Sequence, residues 1–273
     1  MSPKISISFY IVIFSLAILL LSVNIVGIFM SIEPTNIQEE NLRFHDDVNY
    51  TYQEAIPLLV WESEDNLISY SERVTHVISK RLAHIHWLQY DATKFNQLIP
   101  IWENYFLYLM GKFSTIPEYK RYHFADYDRS LYRGIGICGD ASMIMSQLLS
   151  KNNIQNQIVT FPGHVIVETI GTKSNYTYDP DFGVVLPYSI KEINQSPNII
   201  RPFYEDKGYS EKEIKNLVEK YGLQYKNWQS VKHFITKKYY FEKVTYWLKW
   251  PLPIILLLYS LFKLRRHFKL PVR

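Results

Sequence analysis

The feature that most constrains this chain is an apolar run of about 22 residues, from Phe9 to Met30, without a charged side chain. A helix of roughly 20 apolar residues spans the hydrocarbon core of a bilayer. The run also ends without the small-residue pattern that marks removal of a signal peptide. We therefore predict an uncleaved transmembrane anchor over residues 1–32, beside which the rest of the chain must fold.

A second apolar segment, Tyr246–Phe262, predicts a C-terminal transmembrane helix and basic tail over residues 244–273. Because this segment contains Lys249 and two prolines and reaches only about 25 Å as a helix, a helix lying in the membrane interface is the alternative. Basic residues precede the first segment and follow the second. This asymmetry predicts a membrane protein with both termini in the cytoplasm and residues 33–243 in an extracytoplasmic domain.

The basic charge of the chain lies at its ends. Seven of the 30 Lys and Arg residues lie in the two terminal segments, whereas all 26 Asp and Glu residues lie between positions 33 and 243. The central region therefore has 23 basic residues against 26 acidic ones. A slightly acidic domain offers no electrostatic basis for binding nucleic acid, so we predict that nucleic acid is not a partner.

The periodicity of the central region predicts an α+β domain. Apolar residues at helical spacing predict an inward-facing stripe on each of several helices, and alternating β-branched residues after them predict strands. Residues 116–133 show neither the helical nor the strand periodicity, so we predict a loop there. The predicted helices cover about 66–90, 96–112, 138–151, 210–221 and 228–245, and the predicted strands cover 157–161, 164–170 and 176–179.

Three residues predict a catalytic triad. Cys138, the only cysteine, stands at the start of a predicted helix, where the helix dipole favours a thiolate. His164 opens one predicted strand and Asp179 closes the next. An imidazole can take the thiol proton, and a carboxylate can orient that imidazole. Cys138 is thus the predicted nucleophile, His164 the base and Asp179 the orienting acid.

The turn between the two strands predicts how His164 and Asp179 meet. Gly171-Thr172 fits a two-residue hairpin turn, which pairs Ile170 with Lys173 and places His164 directly opposite Asp179. Asp181 competes with Asp179 for the orienting role.

The residues around the thiol predict one of the two oxyanion donors but not the other. Gly136 and Gly139, on either side of Cys138, predict that the backbone approaches the substrate closely. The backbone N–H of Cys138 is a predicted oxyanion donor, because it lies at a helix start. The second donor is left open, with Tyr132, Trp102 and Gln147 as candidates.

The same residues also have possible structural and metal-binding roles. A lone cysteine is usually a small buried apolar group, and a histidine on an apolar strand is usually structural. A Cys/His/Asp zinc site is disfavoured because its ligands are scattered singly along the chain with no C-x-x-C pair. His84 and His86 lie two residues apart on a predicted helix and so do not predict a metal pair. We predict no metal and no cofactor.

Residues 133–183 resemble the transglutaminase-like superfamily of papain-type thiol enzymes. The resemblance covers about a fifth of the chain and implies that a Cys-bearing helix packs on an antiparallel sheet. By position it implies the same roles for Cys138, His164 and Asp179. Two departures, Ile166 where the family often has Trp and Gln157 where it usually has Arg, put the substrate in doubt. The matching motifs are Gly136-x-Cys138-x-x-Ala141, His164-Val-Ile-Val-Glu168 and Tyr178-Asp179-Pro180-Asp181.

The resemblance implies a membrane-anchored, thiol-dependent enzyme that cleaves or transfers the acyl group of an amide through a Cys thioester. Such an enzyme is a hydrolase, either a peptidase or an amidase, or a transglutaminase-type acyltransferase. The expected partners are a peptide, protein or other amide substrate, the membrane and cell-envelope partner proteins. The alternative is a catalytically inactive transglutaminase-like binding or assembly module of a cell-envelope system, which a closed apolar pocket over the sulfur would favour.

Overall fold

The computed structural model describes residues 7–44, 47, 50–171 and 175–268. These residues form thirteen α-helices and one five-stranded antiparallel sheet, which confirms the predicted α+β class. The helices are α1 (Ile7–Ile28), α2 (Tyr52–Leu58), α3 (Leu67–Arg81), α4 (Tyr105–Phe113), α5 (Pro117–Lys120), α6 (Tyr127–Arg133), α7 (Cys138–Lys151), α8 (Ile190–Gln195), α9 (Arg201–Glu205), α10 (Glu211–Tyr221), α11 (Val231–Phe234), α12 (Thr236–Leu248) and α13 (Pro251–Phe268). The strands are β1 (Asn156–Phe161), β2 (His164–Thr169), β3 (Tyr176–Asp179), β4 (Val184–Leu186) and β5 (Lys226–Trp228).

The chain divides into two compact units. One contains the described residues of 1–32, 92–122 and 241–273, and the other those of 33–91 and 123–240. Residues 92–122 therefore group with the two terminal segments.

In the first unit, α1 is the one described helix that is long and apolar enough by itself to cross a membrane. Helices α12 and α13 meet that criterion only as a pair, with a bend of 43° between them. The bend falls inside the predicted second span, because Pro251 cannot donate a helical hydrogen bond and begins a new helix. The carbonyl of Lys249, freed at the bend, accepts hydrogen bonds from Asn24 Nδ2 at 2.6 Å and Tyr105 OH at 3.1 Å.

In the second unit, the sheet is covered by helices on both faces. Its strand order is β4-β3-β2-β1-β5. Helices α3 and α7 pack on one face in a core that includes Val167 and Tyr178, and α8, α9 and α10 pack on the other face against Ile166 and Val184. The apolar stripe predicted for α7 is confirmed, since all of its members are buried in the first of these cores; they are Ala141, Ile144, Met145, Leu148 and Leu149.

Several element boundaries differ from the sequence prediction. Helix α3 ends at Arg81 rather than near residue 90, because the chain becomes extended and Ala83 N donates to Gly134 O at 2.8 Å. Helix α4 begins only at Tyr105, where the Asn104 side chain caps it. The predicted loop 116–133 contains α5 and α6, and the short strands β4 and β5 were not predicted.

The predicted hairpin register is wrong by two residues. Thr169 pairs with Tyr176 and Val167 with Tyr178, so the connection is longer than the proposed Gly171-Thr172 turn. Thr172 itself lies outside the described residues. Because side chains alternate faces with a period of two, a displacement of two residues keeps every side chain on its predicted face.

Candidate active site

Cys138 is the first residue of α7, and its side chain is partly exposed. The residue before the helix, Ile137, cannot cap with its side chain, so Asp140 supplies the cap: its carboxylate accepts a hydrogen bond from Ile137 N at 3.0 Å. His123 Nδ1 lies 2.6 Å from the same carboxylate, and the His123 ring stacks on Trp87 at 4.5 Å. Burial opposes the charge of Asp140, but His123 and Arg133 lower its pKa. The helix start that carries the thiol is therefore fixed by a buried anion.

His164 and Asp179 form a direct pair. His164 Nε2 lies 2.7 Å from Asp179 Oδ2, and both side chains are buried. Since the register places Asp179 diagonally rather than directly across from His164, the pair depends on the reach of the two side chains. The contact to Asp179 leaves Nδ1 as the free ring nitrogen of His164. The structure thus brings the predicted base and orienting acid together.

Two tyrosines complete the surroundings of Asp179. Tyr204 OH donates to Asp179 Oδ2 at 2.7 Å, and Tyr221 OH donates to it at 3.2 Å. The two hydroxyl oxygens are 2.8 Å apart, so the three oxygens form one network. Burial and the negative charge of Asp179 raise the pKa of both tyrosines well above the usual value, which keeps them neutral donors. Neither tyrosine was predicted as a site residue; Tyr204 lies in α9 and Tyr221 in α10.

The thiol also lies beside the His164 ring. Cys138 Sγ, a His164 ring nitrogen and an Asp181 carboxylate oxygen all lie within 4.8 Å of one another. Burial alone would lower the pKa of His164, but the charge and hydrogen bond of Asp179, together with Cys138, raise it to about 10. The imidazolium form of His164 is therefore favoured by its neighbours.

Asp181 belongs to a second buried cluster rather than to the orienting position. Its Oδ1 lies 3.0 Å from His84 Nε2, and His84 Nδ1 lies 2.6 Å from Asp47 Oδ1. Burial opposes the charge of His84, but Asp181 and Asp47 raise its pKa to about 10. This cluster was not predicted from the sequence, in which His84 was placed in a helix and Asp181 was named only as a competitor of Asp179. An imidazolium between two carboxylates holds Asp181 beside the thiol as an anion.

A small cavity opens over the thiol. Its volume is about 90 Å³, and Cys138, His164 and Asp181 line it together with Arg43, Glu213 and Lys220. A larger cavity of about 450 Å³ shares Arg43, Asp181 and Glu213 with it. Phe182 and Leu217 add apolar surface to the lining of the small cavity.

The two glycines beside Cys138 have different surroundings. A Cβ at Gly136 would lie 2.9 Å from the Asp140 Cβ, so this glycine makes room for the helix cap, whereas a Cβ at Gly139 meets no atom within 4 Å.

The side chains named as candidate oxyanion donors lie in different places. Gln147 Nε2 donates to Ala125 O and Met143 O, both at 3.0 Å. The Tyr132 ring packs edge-on against Tyr52, with ring centroids 5.2 Å apart, and Trp102 belongs to the first unit.

No known protein family matches the chain, and no curated protein or solved structure is significantly similar to it.

Proposed function

We propose that this protein is a membrane-anchored thiol enzyme that cleaves or transfers the acyl group of an amide or peptide through a thioester on Cys138. The observation that carries the proposal is the hydrogen-bonded His164–Asp179 pair, which lies beside the partly exposed thiol at a cavity that charged side chains help to line. The motif resemblance to the transglutaminase-like superfamily supports the same chemistry. The apolar helix α1 supports the membrane anchor.

The proposed reaction starts from an ion pair in which the Cys138 proton lies on His164 Nδ1, and the thiolate Sγ attacks the amide carbonyl carbon. The new S–C bond gives a tetrahedral oxyanion, which the Cys138 backbone N–H, free at the start of α7, can stabilise. The C–N bond then breaks, and His164 returns the proton to the departing amine. Water or a second amine attacks the thioester, breaks the S–C bond and restores the thiol.

The residues around the triad assist this cycle by holding charge. Asp179 orients the ring and stabilises the imidazolium, and the Tyr204 and Tyr221 hydroxyls hold the Asp179 carboxylate in place. The peptide or amide substrate would occupy the two adjoining cavities. We further propose that this unit lies outside the cytoplasm, as the distribution of basic residues at the chain ends predicts.

The proposal is tested by trapping the acyl-enzyme. The full-length protein in detergent should react with an activated acyl probe, and Cys138→Ala should abolish the labelling. Ser150→Ala, at the other end of α7, is the matched control and should be labelled normally. Labelling that survives in Cys138→Ala would remove the nucleophile assignment, and a wild-type protein that is folded but never labelled would favour the inactive binding module.

A further inference from the structure

Cys138, His164 and Asp181 offer three different ligand atoms to one point in the cavity. A thiolate sulfur, an imidazole nitrogen and a carboxylate oxygen lie within 4.8 Å of one another, although they are scattered along the chain. We propose that these three side chains form a binding site for a divalent cation of the zinc type, which blocks the thiol while it is bound. The proposal that the bound ion blocks the thiol rests on the function proposed above, whereas the proposal that the ion binds does not.

The residues that contact the proposed ligands are of the kind found around metal sites. A metal-binding histidine usually donates its second ring N–H to a carboxylate, which fixes the tautomer. His164 meets that condition, because Nε2 is held by Asp179 at 2.7 Å and Nδ1 can bind the metal once the Cys138–His164 pair has released its proton to solvent. Asp181 is supported in the same way by His84, whose Nε2 lies 3.0 Å from Oδ1. Two of the three ligands therefore already have an outer partner.

The burial of Asp181 is a second, independent indication. Only 2% of the residue is exposed, and Asp181 is one of the residues that line the cavity over the thiol. A buried carboxylate on the wall of a cavity that also contains a thiol and an imidazole is suited to a cation.

The geometry needs only a small adjustment. Zinc bonds of about 2.0–2.3 Å in a tetrahedron place ligand atoms roughly 3.3–3.6 Å apart, so the widest pair must close by about 1 Å. The fourth position would face the cavity of about 90 Å³, which has room for water. The sulfur ligand favours zinc, cobalt or cadmium over magnesium or calcium, which prefer oxygen.

Bound metal would remove both groups on which acyl transfer depends. Sulfur that is coordinated to zinc is no longer a free nucleophile, and the lone pair of His164 Nδ1 can no longer accept a proton. The metal would thus act as a reversible block, released by a chelator.

Cobalt binding to the full-length protein in detergent tests the site directly. Because Cys138 is the only cysteine, a thiolate-to-cobalt charge-transfer band can arise from no other residue. We expect the wild type to show this band and Asp181→Asn to bind Co²⁺ at least about tenfold more weakly. The exposed Asp206→Asn is the matched control and should bind like the wild type. Cobalt binding without the band, or equal affinity in Asp181→Asn, would overturn the site.

Two further measurements keep the test decisive if Asp181→Asn does not fold. X-ray absorption of the zinc-loaded wild type should show one sulfur at about 2.3 Å and nitrogen or oxygen ligands at about 2.0–2.2 Å; a shell without sulfur refutes the site. Zn²⁺ should also slow alkylation of Cys138 by iodoacetamide, and EDTA should restore it; alkylation unaffected by saturating Zn²⁺ refutes the block.

The two proposals fail in different ways. If the metal-free protein does not react with the acyl probe but the cobalt band and the Asp181→Asn effect are present, the enzyme proposal fails and the metal site stands. If the acyl probe labels Cys138 and no band forms, the metal site fails and the enzyme proposal stands.

Discussion

At the scale of single residues, this site is organised by buried charge. His164 and His84 are both buried, and each contacts buried carboxylates that make the imidazolium form stable. Burying a charge without a partner would cost several kcal/mol, so each ring depends on its aspartate. Asp179 in turn depends on two tyrosine hydroxyls. The triad is therefore part of a larger network of residues from distant parts of the chain.

The pKa of His164 leads to a prediction about pH and stability. Because the folded-state pKa is raised from 6.5 to about 10, the imidazolium stabilises the fold fully below about pH 6.5, and this contribution is lost as the pH rises through about 10. We expect Asp179→Asn to lower the melting temperature most at about pH 6 and progressively less toward about pH 10. Melting curves in detergent across this range measure the difference, and a difference independent of pH would contradict the assigned pair.

The same substitution has an expected effect on reactivity. Without the Asp179 charge the pKa of His164 falls toward its usual value, so the imidazolium that pairs with a thiolate is less populated at neutral pH. Alkylation of Cys138 by iodoacetamide at about pH 7 should slow by about tenfold or more, the ratio that one pKa unit represents. Asp206→Asn, the same change at an exposed position, is the matched control variant and should react like the wild type.

At the scale of secondary-structure elements, α7 and the strands beside it position the thiol. Ser142 Oγ donates to Val165 O at 2.9 Å, which ties the first turn of α7 to the start of β2, where His164 lies. The apolar stripe of α7 could be predicted because helical periodicity is a local property. The cap by Asp140 and its contact with His123 could not, because His123 is 17 residues from Asp140 in a segment without periodicity.

The two glycines beside Cys138 should respond differently to alanine. Gly136→Ala pushes a methyl group against Asp140 Cβ and Leu82 Cδ1, 2.9 and 3.1 Å away, and should destabilise the unit by about 1–3 kcal/mol. Gly139→Ala meets no atom within 4 Å and should leave stability unchanged or raise it by about 0.5–1 kcal/mol, since alanine favours a helix. Melting temperatures of the two variants measure these changes in stability. Equal losses of stability would refute the packing argument.

Gly139→Ala also tests the predicted approach of substrate to the backbone. If the open space beside Gly139 receives substrate, the variant should keep its stability but show a higher KM for the amide substrate. An unchanged KM would mean that this glycine has no such role.

A polar contact from α1 satisfies the carbonyl that is freed at the bend between α12 and α13. Asn24 is buried, and its Nδ2 donates to the Lys249 carbonyl at 2.6 Å. A polar side chain in an apolar helix is costly unless it is bonded, and hydrogen bonds between helices in membranes contribute about 0.6–2 kcal/mol. Asn24→Leu should lower the melting temperature, whereas Ser15→Leu, at an exposed position on the same helix, should not. Equal melting of the two variants would show that the contact contributes nothing.

At the scale of the whole molecule, the charges at the chain ends predict on which side of the membrane the unit that carries Cys138 lies. The basic residues at the two ends predict cytoplasmic termini, and residue 138 would then lie outside. In sealed right-side-out vesicles, a membrane-impermeant maleimide should label Cys138 without permeabilisation. A cysteine at position 2, introduced by Ser2→Cys into Cys138→Ala, should react only after permeabilisation. The reverse pattern would invert the topology.

The sequence by itself determined the properties that depend on neighbours in the chain: the apolar helix α1, the stripe of α7, the strands β2 and β3 and the identity of Cys138, His164 and Asp179 as the chemical groups. It also determined the face on which His164 and Asp179 lie, because side-chain direction alternates along a strand. These are local properties, so they could be predicted although the register was wrong by two residues.

Only the tertiary structure decided which distant groups meet. It brings Tyr204 and Tyr221 from two helices to Asp179, and it places His84 behind Asp181 although about a hundred residues separate them. It also turns three scattered ligands into one cluster, which sequence spacing had disfavoured. Such contacts result from how a helix and a sheet pack, and that packing depends on all the buried side chains together rather than on any single segment.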